Sequence, residues 1–339
     1  MKRFLIYNRI FLLVVAILIQ LVVLVEVILR FNQYFEVFYA VNITISALAF
    51  VWVVNSQSAP AYKMAWIVLI LLFPIFGGLF YIFFGGSTTG RRTKEKLSPI
   101  LQYTEAALSP VSGCLDLILG QDVDAGNQSL YIQNSSLYPP YRNTRVEFLP
   151  SGEAKFARLM EELQKAEHYI FLEYFIIKEG FMWKSILKIL KEKAAAGVDV
   201  RVIYDDFGCL AALPYQYDRV LESMGIKCGV FHPVLPILSA RLNNRDHRKI
   251  VVIDGHTAFT GGINLADEYI NKIEMHGHWK DAAIMIKGEA VWSLTVMFLS
   301  MWNYIKGIRG MPDISQFHPD TISTATDDGF VQPFSDSPL

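Results

Sequence analysis

Residues Asp246 to Glu268 read DHRKIVVIDGHTAFTGGINLADE, and the fold around them is decided by how this stretch is read. His247, Lys249, Asp254, Gly261, Gly262 and Asn264 stand at the spacing H-x-K-x4-D-x6-G-G-x-N. If each specified residue matches by chance about one time in ten, as average usage implies, all six coincide about once in a million starts. Asp254 and Gly255 suit a tight two-residue turn between the apolar run Ile250 to Ile253 and the run Thr257 to Thr260. Counting outward from that turn pairs Lys249 with Thr260 and His247 with Gly262. His247 and Lys249 are two apart, so their side chains leave a strand on one face.

Such a face suits a phosphate. The imidazole of His247 is placed for in-line attack and the ammonium of Lys249 for the charge. The Gly262 amide, beside Gly261, and the Asn264 side chain would donate to the remaining oxygens. Attack by histidine yields a phosphohistidine-type intermediate that a hydroxyl resolves, and this chemistry requires no metal or other cofactor.

Outward from the hairpin, strands alternate with helices. Strands are predicted at Arg145 to Leu149, Tyr169 to Ile177, Val198 to Tyr204, Cys228 to Phe231 and Ala282 to Ile286. Helices are predicted at Ala154 to Ala166, Lys184 to Ala196, Tyr217 to Met224, from about Leu265, and at Ala290 to Ile305, where Gly307 and Gly310 end the last one. This alternation implies a mixed, largely parallel sheet flanked by helices. Arg91 to Asn143, rich in Ser, Pro, Gly and Asn clusters, reads as a connector along a membrane surface.

The front of the chain has a different character. Ile10 to Leu29, Val37 to Val54 and Met64 to Phe84 are each near the roughly 20 residues a helix needs to cross a bilayer. Basic residues flank the region on both sides, with Lys2, Arg3 and Arg9 in front and Arg91, Arg92, Lys94 and Lys96 behind; Arg30 and Lys63 stand singly between. Both flanks are thereby predicted to be cytoplasmic. That favours two crossings, with one segment tucked into the interface or against the others.

The chain has 339 residues, 53% of them hydrophobic, and a formal net charge of -1, so charge alone indicates no polyanionic partner. Three cysteines, odd in number and without paired ligand spacing, speak against a disulfide framework and a zinc site.

The motif resembles that of the phospholipase D superfamily, and its surroundings are similar to bacterial cardiolipin synthases. The segments carrying this likeness are YKMAWIVLILLFPIFGGLFYIFFG, FLEYFII, GVDVRVIYDDFG and the terminal FVQPFSDSPL. The resemblance implies an α-helical membrane anchor (1–86), a membrane-adjacent connector (87–143), an α/β phospholipase D-like catalytic half (144–310), and a linker with the opening of a second half (311–339). It implies transfer of a phosphatidyl group from one phosphatidylglycerol to another with release of glycerol. Membrane lipid, not nucleic acid, would be the partner, and the location a bacterial cell membrane, multi-pass, with the catalytic domain on the cytoplasmic face. His247 would be the nucleophile, with Lys249 and Asn264 holding the phosphate. By its offset Asp281 would orient the imidazole, leaving Asp254 as a turn residue.

Several residues carry two readings. Glu173 is either a site residue or the polar end of an apolar strand. Asp205 and Asp206 suit a site rim or a loop start. His276 and His278 have ligand spacing but no third ligand nearby, which favours a solvated loop. Phe231 to Leu238 suits either a lip entering lipid or core. The family normally carries two copies of the motif, whereas His168, His232, His256, His276, His278 and His318 all lack the H-x-K pattern. The chain is therefore expected to be the front of a longer protein. Two other readings stay open: a single-motif chain that pairs two copies across a two-fold, and a non-catalytic partner that binds anionic lipid.

Overall fold

The computed structural model describes residues 14–15, 17–26, 35–56, 58, 60–85, 91–108, 113–234, 245–275, 277–307, 313–319 and 329–335. The chain divides into an N-terminal unit ending at Arg91 and a larger unit comprising most of the rest.

In the first unit α1 (Ile17–Glu26) precedes α2 (Phe35–Asn55), α3 (Pro60–Leu72) and α4 (Gly77–Phe84). Among the described residues α2 alone is long and apolar enough to cross a membrane, its 21 residues having a mean hydropathy of 2.1. With one helix of spanning length among the described residues the multi-pass expectation is left without support, and the third apolar run is not a continuous span. Its helix stops at Pro74, which lacks the N–H a helix interior needs, and resumes at Gly77. α4 then folds back along α3: Tyr62 donates its hydroxyl to the Gly85 carbonyl at 3.1 Å, and Trp66 and Tyr81 meet edge to face at 5.3 Å. Glycine makes this possible, since a Cβ on Gly77 would lie 2.6 Å from the Ile70 Cα. Beside it, the Gly78 amide donates to Ser46 Oγ of α2 at 3.0 Å.

The second unit opens with α5 (Arg91–Ala107), α6 (Cys114–Gln121) and α7 (Val123–Ser136). The stretch expected as a connector is therefore helical, and it docks: Thr104 Oγ1 meets Ser300 Oγ at 2.7 Å and Trp292 donates to the Ala107 carbonyl at 2.9 Å. The chain continues through β1 (Thr144–Leu149), α8 (Gly152–Gln164), β2 (Tyr169–Tyr174), α9 (Phe181–Ala195) and β3 (Asp199–Asp205). Then come α10 (Asp206–Cys209), α11 (Tyr217–Glu222), β4 (Lys227–Phe231), β5 (Ile250–Ile253), β6 (Thr257–Gly261), β7 (Ala283–Gly288) and α12 (Val291–Lys306). Where a helix from Leu265 is predicted, there is a 3-10 turn at Asp267–Ile270. The Asp267 carboxylate is drawn instead onto the Phe181 and Met182 amides at 2.8 and 2.7 Å, where it caps α9.

The sheet has seven strands in the order β1-β7-β6-β5-β2-β3-β4. It is mixed, but parallel pairing is confined to β2, β3 and β4, and the other neighbours are antiparallel. The hairpin β5–β6 is the cause, because it enters between β2 and β7 instead of extending the βαβ run. Ile170, Leu172, Val251 and Phe259 pack under Leu159, Leu163 and Trp183 of α8 and α9. On the opposite face Phe171 stacks on Phe298 of α12 at 4.5 Å.

The hairpin register differs by one residue from that expected. Ile253 pairs with Thr257 and Ile250 with Thr260, so His256 stands in the loop as an extra residue. Its amide closes the turn on the Ile253 carbonyl at 3.1 Å, while its own carbonyl accepts from the Gly288 amide at 3.3 Å. Asp254 and Gly255 occupy the turn at φ 50° and 67°. The Asp254 carboxylate accepts from the backbone amides of Glu167, His168 and Tyr169 at 2.7, 2.8 and 2.7 Å, tying the hairpin tip to the start of β2. Asp254→Ala should therefore lower the unfolding free energy by about 2–3 kcal/mol, the range for losing hydrogen bonds to a charged acceptor. Urea unfolding of wild type and variant in the same detergent checks this, and an unchanged midpoint contradicts it.

Candidate active site

The site lies where β5 begins. Arg245 to Lys249 precede the ladder and have no strand partner, so side chains hold them in place. The Asp246 amide donates to Asp205 Oδ2 at 3.0 Å, while Asp205 Oδ1 accepts from the Phe207 and Gly208 amides and caps α10. Arg248 reaches Glu173 at 2.6 Å and Asp246 at 3.0 Å. Glu173 is fully buried on β2, directly opposite Ile250. Burial pushes its carboxyl well up against the pull of the Arg248 guanidinium, and Asp246 adds to that push. Glu173 and Asp205 are thus tied to the motif segment from beneath.

His247 and Lys249 leave the opposite face from Arg248. The imidazole is exposed, and its ring sits 4.9 Å from that of Phe175. Lys249 is buried; its Nζ lies 3.1 Å from His247 Nδ1 and donates to the His247 carbonyl at 2.6 Å. Burial, then the Lys249 charge, holds the imidazole below its ordinary pKa. Burial likewise lowers the Lys249 amine to about 8, although Asp246 and Asp281 oppose the shift. The shift on His247 favours its neutral imidazole beside the Lys249 amine.

Gly261 and Gly262 lie open next to this pair, but the Gly262 amide is spent on the Ala282 carbonyl at 3.1 Å. The expectation of that amide as a phosphate donor is corrected accordingly. Both glycines serve close approach: a Cβ on Gly261 would meet the Ala282 carbonyl oxygen at 2.5 Å, and one on Gly262 would meet Asp281 Oδ1 at 2.1 Å. Asn264 is buried, its Oδ1 accepting from the Ile176 amide at 3.0 Å and its Nδ2 donating to the Tyr269 hydroxyl at 2.8 Å. The second Nδ2 hydrogen has no hydrogen-bond acceptor among the described residues.

Asp281 presses on Gly262 and accepts from the Ala282 amide at 2.8 Å; it makes no hydrogen bond to His247. Lys249 takes that position at Nδ1. Asp254 lies at the other end of β5 and does not join the cluster. Asp206 is buried at the start of α10. His278 is exposed and approaches Asn271 at 3.4 Å, whereas His276 and residues 235–238 of the apolar lip lie outside the described residues. Phe231 is core, stacked on His232 at 4.1 Å. Sequence reasoning missed Arg248 and Asp246. Their signal was available, because both alternate with His247 and Lys249 and so fall on the opposite face of the same segment.

The family described as cardiolipin synthase, PLD-like domain, matches residues 159–302, and that described as phospholipase D-nuclease N-terminal matches residues 44–86. Residues 159–302 thus match a phospholipase D-like domain. Among relatives, an uncharacterized protein of Streptococcus mutans is 42% identical over 85% of this chain and 62% of its own length. Cardiolipin synthases of Geobacillus thermodenitrificans and Geobacillus kaustophilus are 34% and 36% identical, over 80% and 74% of this chain and 54% and 50% of theirs. The chain thus spans roughly half to three-fifths of the relatives it matches.

The electrostatics set a pH signature. Diethyl pyrocarbonate acylates only neutral imidazole, so the His247 modification rate should fall on acidification with a midpoint below the ordinary 6.5. Lys249→Met removes a charge that opposes protonation and should move the midpoint up. Peptide mapping of the acylated chain reads both, and a wild-type midpoint above 6.5 contradicts the assignment.

Proposed function

We propose that the domain transfers phosphatidyl groups by way of His247. The imidazole attacks the phosphorus of one phosphatidylglycerol, forming an N–P bond as the P–O bond to glycerol breaks. The hydroxyl of a second phosphatidylglycerol then attacks, breaking N–P and giving cardiolipin. The observation that carries this reading is the His247–Lys249 pair, an imidazole open to solvent with a buried lysine amine 3.1 Å from its ring nitrogen. When Lys249 turns to a phosphate oxygen, Asp281 is the carboxylate assigned to the freed imidazole N–H, and Asn264 donates its remaining hydrogen to the phosphate.

The departing glycerol oxygen needs a proton, and general acid catalysis typically contributes about a hundredfold to ten-thousandfold. His247 cannot attack and donate that proton in the same step. A second H-x-K, from another copy of the chain or from a further domain, would complete the site. Conversion of labelled phosphatidylglycerol in mixed micelles should therefore fall faster than linearly as the chain is diluted, and His247→Ala should abolish it. Turnover that survives His247→Ala rejects the mechanism, and dilution-independent turnover by a demonstrated monomer rejects the need for a second motif.

The first unit points to attachment at a bacterial membrane. Because α4 returns along α3, the two ends of that hairpin lie on one side of the bilayer, and the basic residues Lys63, Arg91 and Arg92 assign it to the cytoplasm. Cysteines placed at Ser58 and Ser98, in a background without the native thiols, should both resist an impermeant reagent added to intact cells. Labelling at one position alone rejects the hairpin topology, and labelling at both places the domain outside.

A further inference from the structure

The reaction outlined above leaves one buried amine unused. Lys155 of α8 is 1% exposed, in line with Leu159 and Leu163 on the face that packs against the sheet. Its Nζ donates to the Tyr174 hydroxyl at 2.9 Å and to the Ile263 carbonyl at 2.8 Å. No carboxylate forms an ion pair with it among the described residues. Burial, then the Lys249 charge, lowers the amine to about 7, with Asp281 opposing. An amine here carries a desolvation cost that a methionine of similar length would avoid while filling the same space. Packing alone does not call for a lysine.

What the amine grips is the turn after β6. Ile263 lies between Gly262 and Asn264, and the turn is already stitched on one side to the continuation of β2: Asn264 Oδ1 accepts from the Ile176 amide at 3.0 Å, and the Leu265 amide donates to the Ile176 carbonyl at 3.1 Å. Lys155 clamps the other side and, through Tyr174, fixes the same point to the end of β2. Three elements converge on one nitrogen: α8, β2 and the turn that carries Asn264.

We propose that Lys155 is a positioning residue of the phosphate site, holding the Ile263 carbonyl against the end of β2 so that Asn264 stands at the right distance from His247 and Lys249. It acts through the turn and does not touch the substrate. The proposal rests on the reading of His247 and Lys249 as a phosphate site.

The test uses the full chain in detergent with inorganic phosphate as the probe, followed by calorimetric titration and thermal unfolding. Lys155→Met should leave Tm unchanged or raise it, because a buried amine has gone, while weakening phosphate binding about tenfold, equivalent to about 1.4 kcal/mol. A purely structural lysine would do the reverse, so a lowered Tm with unchanged phosphate affinity overturns the proposal. So does affinity unchanged at unchanged Tm. If Lys155→Met fails to fold, Tyr174→Phe decides: it removes one anchor and keeps the ring, and should weaken phosphate about threefold, whereas wild-type affinity there overturns the proposal. Wild type that binds no phosphate, or His247→Ala that binds it equally well, brings down the site reading and this proposal together, and that failure is recognised in the controls rather than in the Lys155 variant.

Discussion

The ion pair between Arg248 and Glu173 is the contact on which the site depends. Arg245 to Lys249 run outside the ladder, so no strand hydrogen bonds set where His247 stands. Glu173 is fixed because it lies inside β2, between β3 and β5, and a guanidinium 2.6 Å from it fixes the segment in turn. Asp205 adds a second anchor at the Asp246 amide. Removing one partner of a buried pair typically costs about 3–5 kcal/mol, because the remaining charge is left without compensation. Here the same loss would also release His247.

Strand alternation then separates two charged environments. Asp246 and Arg248 point to the α12 face with Glu173, where acids and bases compensate one another. His247 and Lys249 point to the other face, where Lys249 and Lys155 accumulate positive charge against Asp281 alone among the carboxylates that act on both amines. Burial holds both amines below their ordinary pKa, and for Lys155 the Lys249 charge adds to the effect. In the same neighbourhood burial, and after it the Lys249 charge, holds the His247 imidazole below its ordinary pKa.

Much of this was legible in the residues, and what was not has local causes. The motif gave His247 and Lys249, and hydrophobic periodicity placed most strands and helices of the catalytic unit near their true positions. The antiparallel insertion of β5–β6 was hidden, because alternation of elements says which segments are strands but not which strand each one joins. The register slipped by one because His256 makes its own contacts to Ile253 and Gly288, which no turn dipeptide announces. Helix α7, VDAGNQSLYIQNSS, reads as loop by propensity, yet Gly126 lets Leu119 pack so closely that a Cβ there would lie 2.4 Å from the Leu119 side chain. Tertiary contact overrides propensity in that helix.

The motif's aspartate illustrates how one spacing can serve two purposes. Asp254 belongs to the same six-residue signature as His247, yet its carboxylate binds three amides at the start of β2, at the opposite end of β5. β2 also carries Glu173, which grips Arg248 at the near end. Two carboxylate contacts, one at each end, therefore lock β5 to β2 in a single register. A slip of one residue would turn His247 and Lys249 to the α12 face and bring Arg248 to the face they now occupy. The spacing from histidine to aspartate thus measures the length of strand that must stay in register, which gives the aspartate a place in the motif although it stands at the far end of β5 from His247.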